Sequence, residues 1–242
     1  MCPNPGKMAN LRKNEPIVRS ADPIGLFGGG YVGFEDLNLV LNRVTSVVAA
    51  DGGAAVLTES GRIPDAVIGD FDSLDPASKA KIPSERLFAI REQDSTDFDK
   101  TLRNVQAPLV LGAGFLGGRL DHQLAVLNVL VRRQEQACIL LGAHEVVFHA
   151  PRQIRLPVAP GDVVSLFPMR PVTGRSTGLE WPIDGLRLQP DGQVGTSNRA
   201  LSDVELQMDG PGLLVMVPRA ALDPLMQVFL SGQIERWPVR EE

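Results

Sequence analysis

The sequence predicts an N-terminal α/β domain with a mainly parallel sheet, followed by a C-terminal all-β domain, a β-sandwich. Three observations carry this. From about residue 21 to 148 the chain alternates strand, loop and helix. From about residue 151 prolines, glycines and short alternating runs take over. The acidic residues of the first half gather where its apolar runs end. Strand–helix alternation indicates a parallel sheet covered by helices, and short runs between turn residues indicate a sandwich or barrel.

In order, "PIGLFGGG" is a short apolar run closing on Gly28, Gly29 and Gly30, and "FEDLNLVLNRV" after it has helical spacing. "TSVVAADGGA" reads as a strand ending at Asp51, and "AAVLTESG" as a short helix stopped by Gly61. "DAVIGDFDS" is a third strand, "ERLFAI" a fourth, and "DFDKTLRNV" a helix. "APLVLGAGF" is a fifth strand, "RLDHQLAVLNVLVRRQEQ" the longest helix, and "ACILLGAHEVVFHA" closes the half. Beyond it, "GDVVSLFPM", "GLRLQP", "SDVELQMD" and "GLLVMVP" read as strands separated by turns such as Pro190-Asp191-Gly192 and Asp209-Gly210-Pro211. The expected division is a loosely ordered tail over 1–20, an α/β domain over 21–150 and a β domain over 151–242.

The 242 residues allow one large or two small cores, and a net charge of −5 argues against a nucleic-acid surface. Two cysteines, Cys2 and Cys138, cannot make a disulfide framework. The first residues lack the apolar run of a secretory signal, and no stretch of about 18 apolar residues exists to span a membrane. A reducing cytoplasm is the expected setting.

The chemistry lies in where the aspartates fall. Asp51 follows "VVAA", Asp70 and Asp72 follow "DAVIG", Asp97 follows "LFAI" after a polar linker, and Asp121 follows "LVLGAGFLGGR". In a parallel sheet these positions converge on the carboxyl edge, where ligands bind. Carboxylates so close raise one another's pKa, and a divalent cation with hard oxygen ligands removes the conflict. Glycine loops alongside leave backbone N–H groups free to approach phosphate oxygens, and Lys100 and Arg119 lie in the same segments. Asp75 and Asp99 read as surface charges, Asp75 as the N-cap of "PASKAK".

Together these residues resemble the thiamine pyrophosphokinase family. The matching stretches are "AADGGA", "PDAVIGDFDS", "QDSTDFDKTL", "GGRLDHQLAVLN", "GDVVSLFPM", "GLEWP" and "TSNRA", in the family's order. The resemblance implies that the hydroxyl of thiamine attacks the β-phosphorus of ATP, giving thiamine diphosphate and AMP, in a homodimer whose sites span the interface. It implies that Asp70, Asp72 and Asp97 bind Mg²⁺. Asp51 and Asp121 match acids of the catalytic region, either of which could take the hydroxyl's proton. Gly29, Gln93, Thr96, Lys100, Gly118 and Arg119 fall on the ATP side. Trp181, Ser197 and Asn198 fall on the thiamine side, where the indole ring would stack on the substrate. The remaining partner expectations are negative, no nucleic acid and no membrane.

Overall fold

The protein is seen here in a computed structural model that describes residues 15–232 and 234–239. The expected loose tail over 1–20 lies outside the described residues up to position 14, as does Cys2. Of the rest, β1 (Val18–Arg19) pairs in parallel with β6 (Val105–Gln106).

The α/β half is built from β2 (Ile24–Phe27), α1 (Phe34–Leu41), β3 (Ser46–Ala50), α2 (Ala54–Glu59), β4 (Ala66–Gly69), α3 (Pro76–Lys81), β5 (Leu87–Ala89), α4 (Asp97–Leu102), β7 (Val110–Ala113), α5 (Leu120–Arg132), β8 (Cys138–Leu141) and β9 (Glu145–His149). Strands β8, β7, β2, β3, β4 and β5 lie side by side in that order and all run parallel. Strands β2, β4, β7 and β8 are buried along their whole length, as a sheet covered on both faces requires. Alternate residues feed two cores. Val47, Ala49 and Val67 pack with helices α1 and α2, whereas Val48, Ala50, Ala66 and Ile68 pack with Phe98 and Leu102 of α4 and Val126 and Leu130 of α5. The order reverses between β2 and β7, so the crevice at their carboxyl ends is the topological switch point.

The β half comprises β10 (Gln153–Leu156), β11 (Val163–Pro168), β12 (Gly174–Leu179), β13 (Gly195–Met208) and β14 (Leu213–Pro218). Strand β13 pairs with β11 through its first part and with β12 and β10 through its second. A strand that changes sheets in this way makes the corner of a sandwich. The two halves share hydrogen bonds, because β14 pairs with β9 as well as with β11. The "TSNRA" segment, which alone reads as a turn, lies inside β13, and "GLRLQP" contributes only isolated bridges at Leu188.

A helix that the all-β expectation lacks follows, α6 (Leu222–Leu230). Its Leu222, Leu225, Met226 and Phe229 are buried in the core shared with α1, and Phe229 meets Phe148 of β9 edge to face. Two ion pairs, Arg43–Asp223 and Arg219–Asp36, tie α1 to this end of the chain.

Candidate active site

The carboxyl ends of β2, β3, β4 and β7 open into a cleft of about 630 Å³. One wall is backbone. The Gly30 N–H donates to the Gly114 carbonyl at 3.0 Å, and a Cβ on Gly30 would stand 2.6 Å from that oxygen, so no side chain fits. The loops after β2 and β7 can approach only because both are glycine, with Gly114 at φ +78. Gly29 and Gly118 also line the cleft.

The other wall is acidic. Asp51, Asp70 and Asp97 each bring a carboxylate oxygen within 4.8 Å of the others. Two unit charges at that separation repel by about 3 kcal/mol at an effective dielectric of 20, so the fold must answer the crowding. It answers with Lys100, one turn after Asp97 on α4, whose side chain is 2% exposed. Its Nζ donates to Asp70 Oδ2 at 2.7 Å and to Asp97 Oδ1 at 3.1 Å. That bond holds the Asp70 carboxyl below its ordinary value. Burial pushes Asp97 up in spite of Lys100. Burial also works against the Lys100 ammonium, but its hydrogen bonds to the two acids outweigh this and leave its pKa raised.

Asp51 is 2% exposed and receives less help. The Ser73 N–H donates to its Oδ2 at 3.2 Å, while Oδ1 is buried with no hydrogen-bond partner. Burial raises its pKa to about 6, the Ser73 bond opposes this, and Asp72 and Asp97 add to it. Glycine at 69 makes room for the group, since a Cβ there would lie 2.9 Å from that of Asp51 and 3.3 Å from Asp97 Oδ1. An orphaned buried carboxylate oxygen beside two more acids is a donor set suited to a hard divalent cation.

Asp72 stands at the rim. It is exposed, accepts a hydrogen bond from Ser73 Oγ at 2.9 Å, and its N–H reaches Asp70 Oδ1 at 3.4 Å. Strand alternation does not relate it to Asp70, because β4 ends at Gly69 and Phe71 adopts φ +68. Among the described residues the non-glycine positions with positive φ are Asp51, Phe71 and Ser197, all beside or within candidate site positions. Backbone strain of this kind persists where surrounding structure over-determines it.

The remaining expected residues divide. Thr96 caps α4 by accepting the Asp99 N–H, and it lines the cleft. Gln93 is exposed and is not among the lining residues. Arg119 lines the cleft but donates at 2.6 Å to Asp121, and both are well exposed. Asp75 caps α3 as expected, accepting the Ser78 N–H at 2.8 Å. Asp99 is a correction: it is 1% exposed, not a surface charge, and receives Arg133 Nε at 2.6 Å. Two helical residues are about 200° apart, so Asp97 and Asp99 face opposite sides of α4. The periodicity that placed the helix carried that signal. Nothing comparable pointed to Ser73.

Trp181 is 57% exposed, in a turn after β12. Its backbone is clipped by the buried Asn198 amide, which accepts the Trp181 N–H at 3.1 Å and donates to its carbonyl at 2.7 Å. Asn198 Oδ1 also accepts the Arg199 N–H at 2.8 Å. The amide therefore positions the indole. Exposed Ser197 is held at φ +61, its N–H bonded to Ser165 Oγ. None of these three residues lines the acidic cleft.

Comparison with known proteins gives a consistent answer. Residues 37–141 match the family model for the thiamin pyrophosphokinase catalytic domain, and residues 149–213 match that for the thiamin pyrophosphokinase vitamin B1 binding domain. Thiamine pyrophosphokinase 1 of Oryza sativa subsp. japonica is 31% identical over 161 residues, covering 56% of this chain and 58% of that protein. Thiamine pyrophosphokinase of Bacillus subtilis is 30% identical over 104 residues, covering 40% and 48%. The chain thus spans about half the length of these curated relatives. Among solved structures, yeast thiamin pyrophosphokinase superposes with a TM-score of 0.68 at 14% identity, covering 86% of this chain and 93% of that one. The Candida albicans enzyme gives 0.66 at 19%, covering 81% and 90%. At those identities the superpositions speak for the fold.

Proposed function

Because the chain belongs to the thiamin pyrophosphokinase family, we propose that it transfers the pyrophosphoryl group of ATP to the hydroxyl of thiamine, releasing thiamine diphosphate and AMP. The observation that carries this reading is the convergence of Asp51, Asp70, Asp97 and Lys100 on one glycine-walled cleft. Asp51, Asp70 and Asp97, with Asp72 at the rim, would hold Mg²⁺. Bound there, the ion would supply positive charge that offsets the phosphate oxygens and the leaving group.

The chain's own residues do the rest. The bare backbone at Gly29, Gly30 and Gly118 admits the phosphates, and Thr96, Lys100 and Arg119 line the same cleft. Gln93 completes the nucleotide side from an exposed loop. The hydroxyl oxygen of thiamine forms a bond to the β-phosphorus, the bond to the α-phosphate oxygen breaks, and AMP departs. The hydroxyl's proton passes to whichever of Asp51 and Asp121 the ion leaves free. A loose transition state demands little basicity of either. The pH–rate profiles of Asp51→Asn and Asp121→Asn, each taken at saturating Mg²⁺, separate the two, since only loss of the base then removes the acidic limb.

Trp181 offers an exposed aromatic face to a flat, cationic heterocycle. Asn198 fixes the turn that carries it, and Ser197 stands exposed beside that amide. Because Trp181 and the acidic cleft do not share a cavity within one chain, the active unit is a homodimer that joins the cleft of one copy to the indole of the other. No helix among the described residues is long and apolar enough to cross a membrane, and buried Cys138 is a free thiol, which suits a reducing cytoplasm. The test is direct: the protein is incubated with ATP, Mg²⁺ and thiamine, and AMP and thiamine diphosphate are measured. Equimolar formation of both is expected. AMP without thiamine diphosphate refutes thiamine as acceptor, and neither product refutes the activity.

A further inference from the structure

We infer that Lys100 is a resident counter-ion of the acid group, and that an arriving divalent cation displaces its ammonium from Asp70 and Asp97 toward the nucleotide phosphates. The inference rests on the metal-dependent reading above and adds an exchange to it.

Three features lead there. A lysine that serves only to meet a phosphate would stand in the open cleft, whereas this one is among the largest fully buried side chains of the protein. Its Nζ is committed to Asp70 and Asp97, which are also two of the three convergent donors, so the ammonium and a bound cation compete for the same carboxylates. Finally, the ammonium serves only part of the group. Asp51 Oδ1 stays without a partner. Three carboxylates and one ammonium leave two negative charges, so the group still attracts a divalent cation while the ammonium is in place. Lys100 thus keeps the acids gathered before the cation comes and opposes its arrival by one positive charge.

That opposition makes the inference testable without turnover. Mn²⁺ is titrated into the full chain with no nucleotide or thiamine present, and free Mn²⁺ is read by electron paramagnetic resonance. Lys100→Met should bind Mn²⁺ about tenfold tighter than the unaltered protein, because one repelling charge is gone. Its Tm without metal should be lower, and Mn²⁺ should raise that Tm by more. Equal or weaker Mn²⁺ binding by the variant overturns the exchange while leaving the metal reading standing. Failure of the unaltered protein to take up Mn²⁺ overturns both. Should Lys100→Met not fold, acetylation of the unaltered protein followed by mass spectrometry serves instead. The chain has five lysines, so the modified peptides are readily told apart. Added Mg²⁺ should increase labelling of Lys100 several-fold and leave Lys79 and Lys81 unchanged, whereas an unchanged Lys100 overturns the exchange.

Discussion

The acidic cleft and the Trp181 turn handle polarity in opposite ways. In the cleft half, charges are taken out of water: Asp51, Asp99 and Lys100 are each at most 2% exposed. In the β half the ring offered to a ligand is 57% exposed, and what is buried is the neutral amide that holds it. Buried charges couple strongly to one another and to a cation, so one residue lost there disturbs several. A clip of neutral hydrogen bonds fixes only the segment it grips. The cleft is therefore the costly part of the fold and the turn the adaptable part.

The largest expected effect breaks the cleft side of this comparison. Asp70→Asn should lower AMP formation by at least about a thousandfold, roughly 4 kcal/mol of transition-state stabilisation, with an unchanged far-UV circular dichroism spectrum. Turnover within tenfold of the original would detach Asp70 from the chemistry.

Next comes the ion pair on the far side of α4. Asp99→Ala removes the buried carboxylate that receives Arg133 Nε and should cost about 3 kcal/mol in urea denaturation. Asp97, carried on the same helix, should then bind the cation more weakly. A loss of under about 0.5 kcal/mol would make the pair a surface contact in energetic terms.

The seam between the halves should respond to pH. Burial lowers His149 from 6.5 to about 4, and its Nε2 accepts the Gly212 N–H at 2.8 Å. The folded protein thus binds fewer protons than the unfolded chain between those two values. Stability present above pH 6.5 is lost as pH falls toward 4, by up to about 3 kcal/mol. Urea denaturation across this range, compared with His149→Gln, isolates the effect. A variant as acid-sensitive as the parent would assign the loss elsewhere.

The smallest effects sharpen the β side. Trp181→Ala should raise the KM for thiamine about tenfold, worth some 1.4 kcal/mol, while leaving the KM for ATP and the Tm nearly unchanged. Asn198→Ala should do the same to thiamine but also cost about 2 kcal/mol of stability, because it strands the Trp181 and Arg199 N–H groups. If the two variants behaved alike in stability, the amide would not be a clip.

Much of this was legible in the sequence. Apolar runs ending in Asp51 and Asp70 marked strand ends, and the spacing of Asp97 and Lys100 put both on one helical face. The apolar positions 222, 225, 226 and 229 carried a helical signal too, which the proline- and glycine-rich setting of the second half obscured. The strand through "TSNRA" was not legible, because polar residues and a left-handed Ser197 interrupt any alternation.

By itself, then, the sequence determined the fold class, the order of the main strands and helices of the α/β half, the family and the residues with chemistry to offer, since all of these follow from local pattern. Only the tertiary structure decided which carboxylates meet. Asp51, Asp70 and Asp97 come from three separate segments, and the order of β3 and β4 with the return of α4 over them brings their oxygens together. The same packing sent Asp99 inward to Arg133 and gave Lys100 to the acids. Partnership between charges depends on distance and burial, and neither is a local property of the chain.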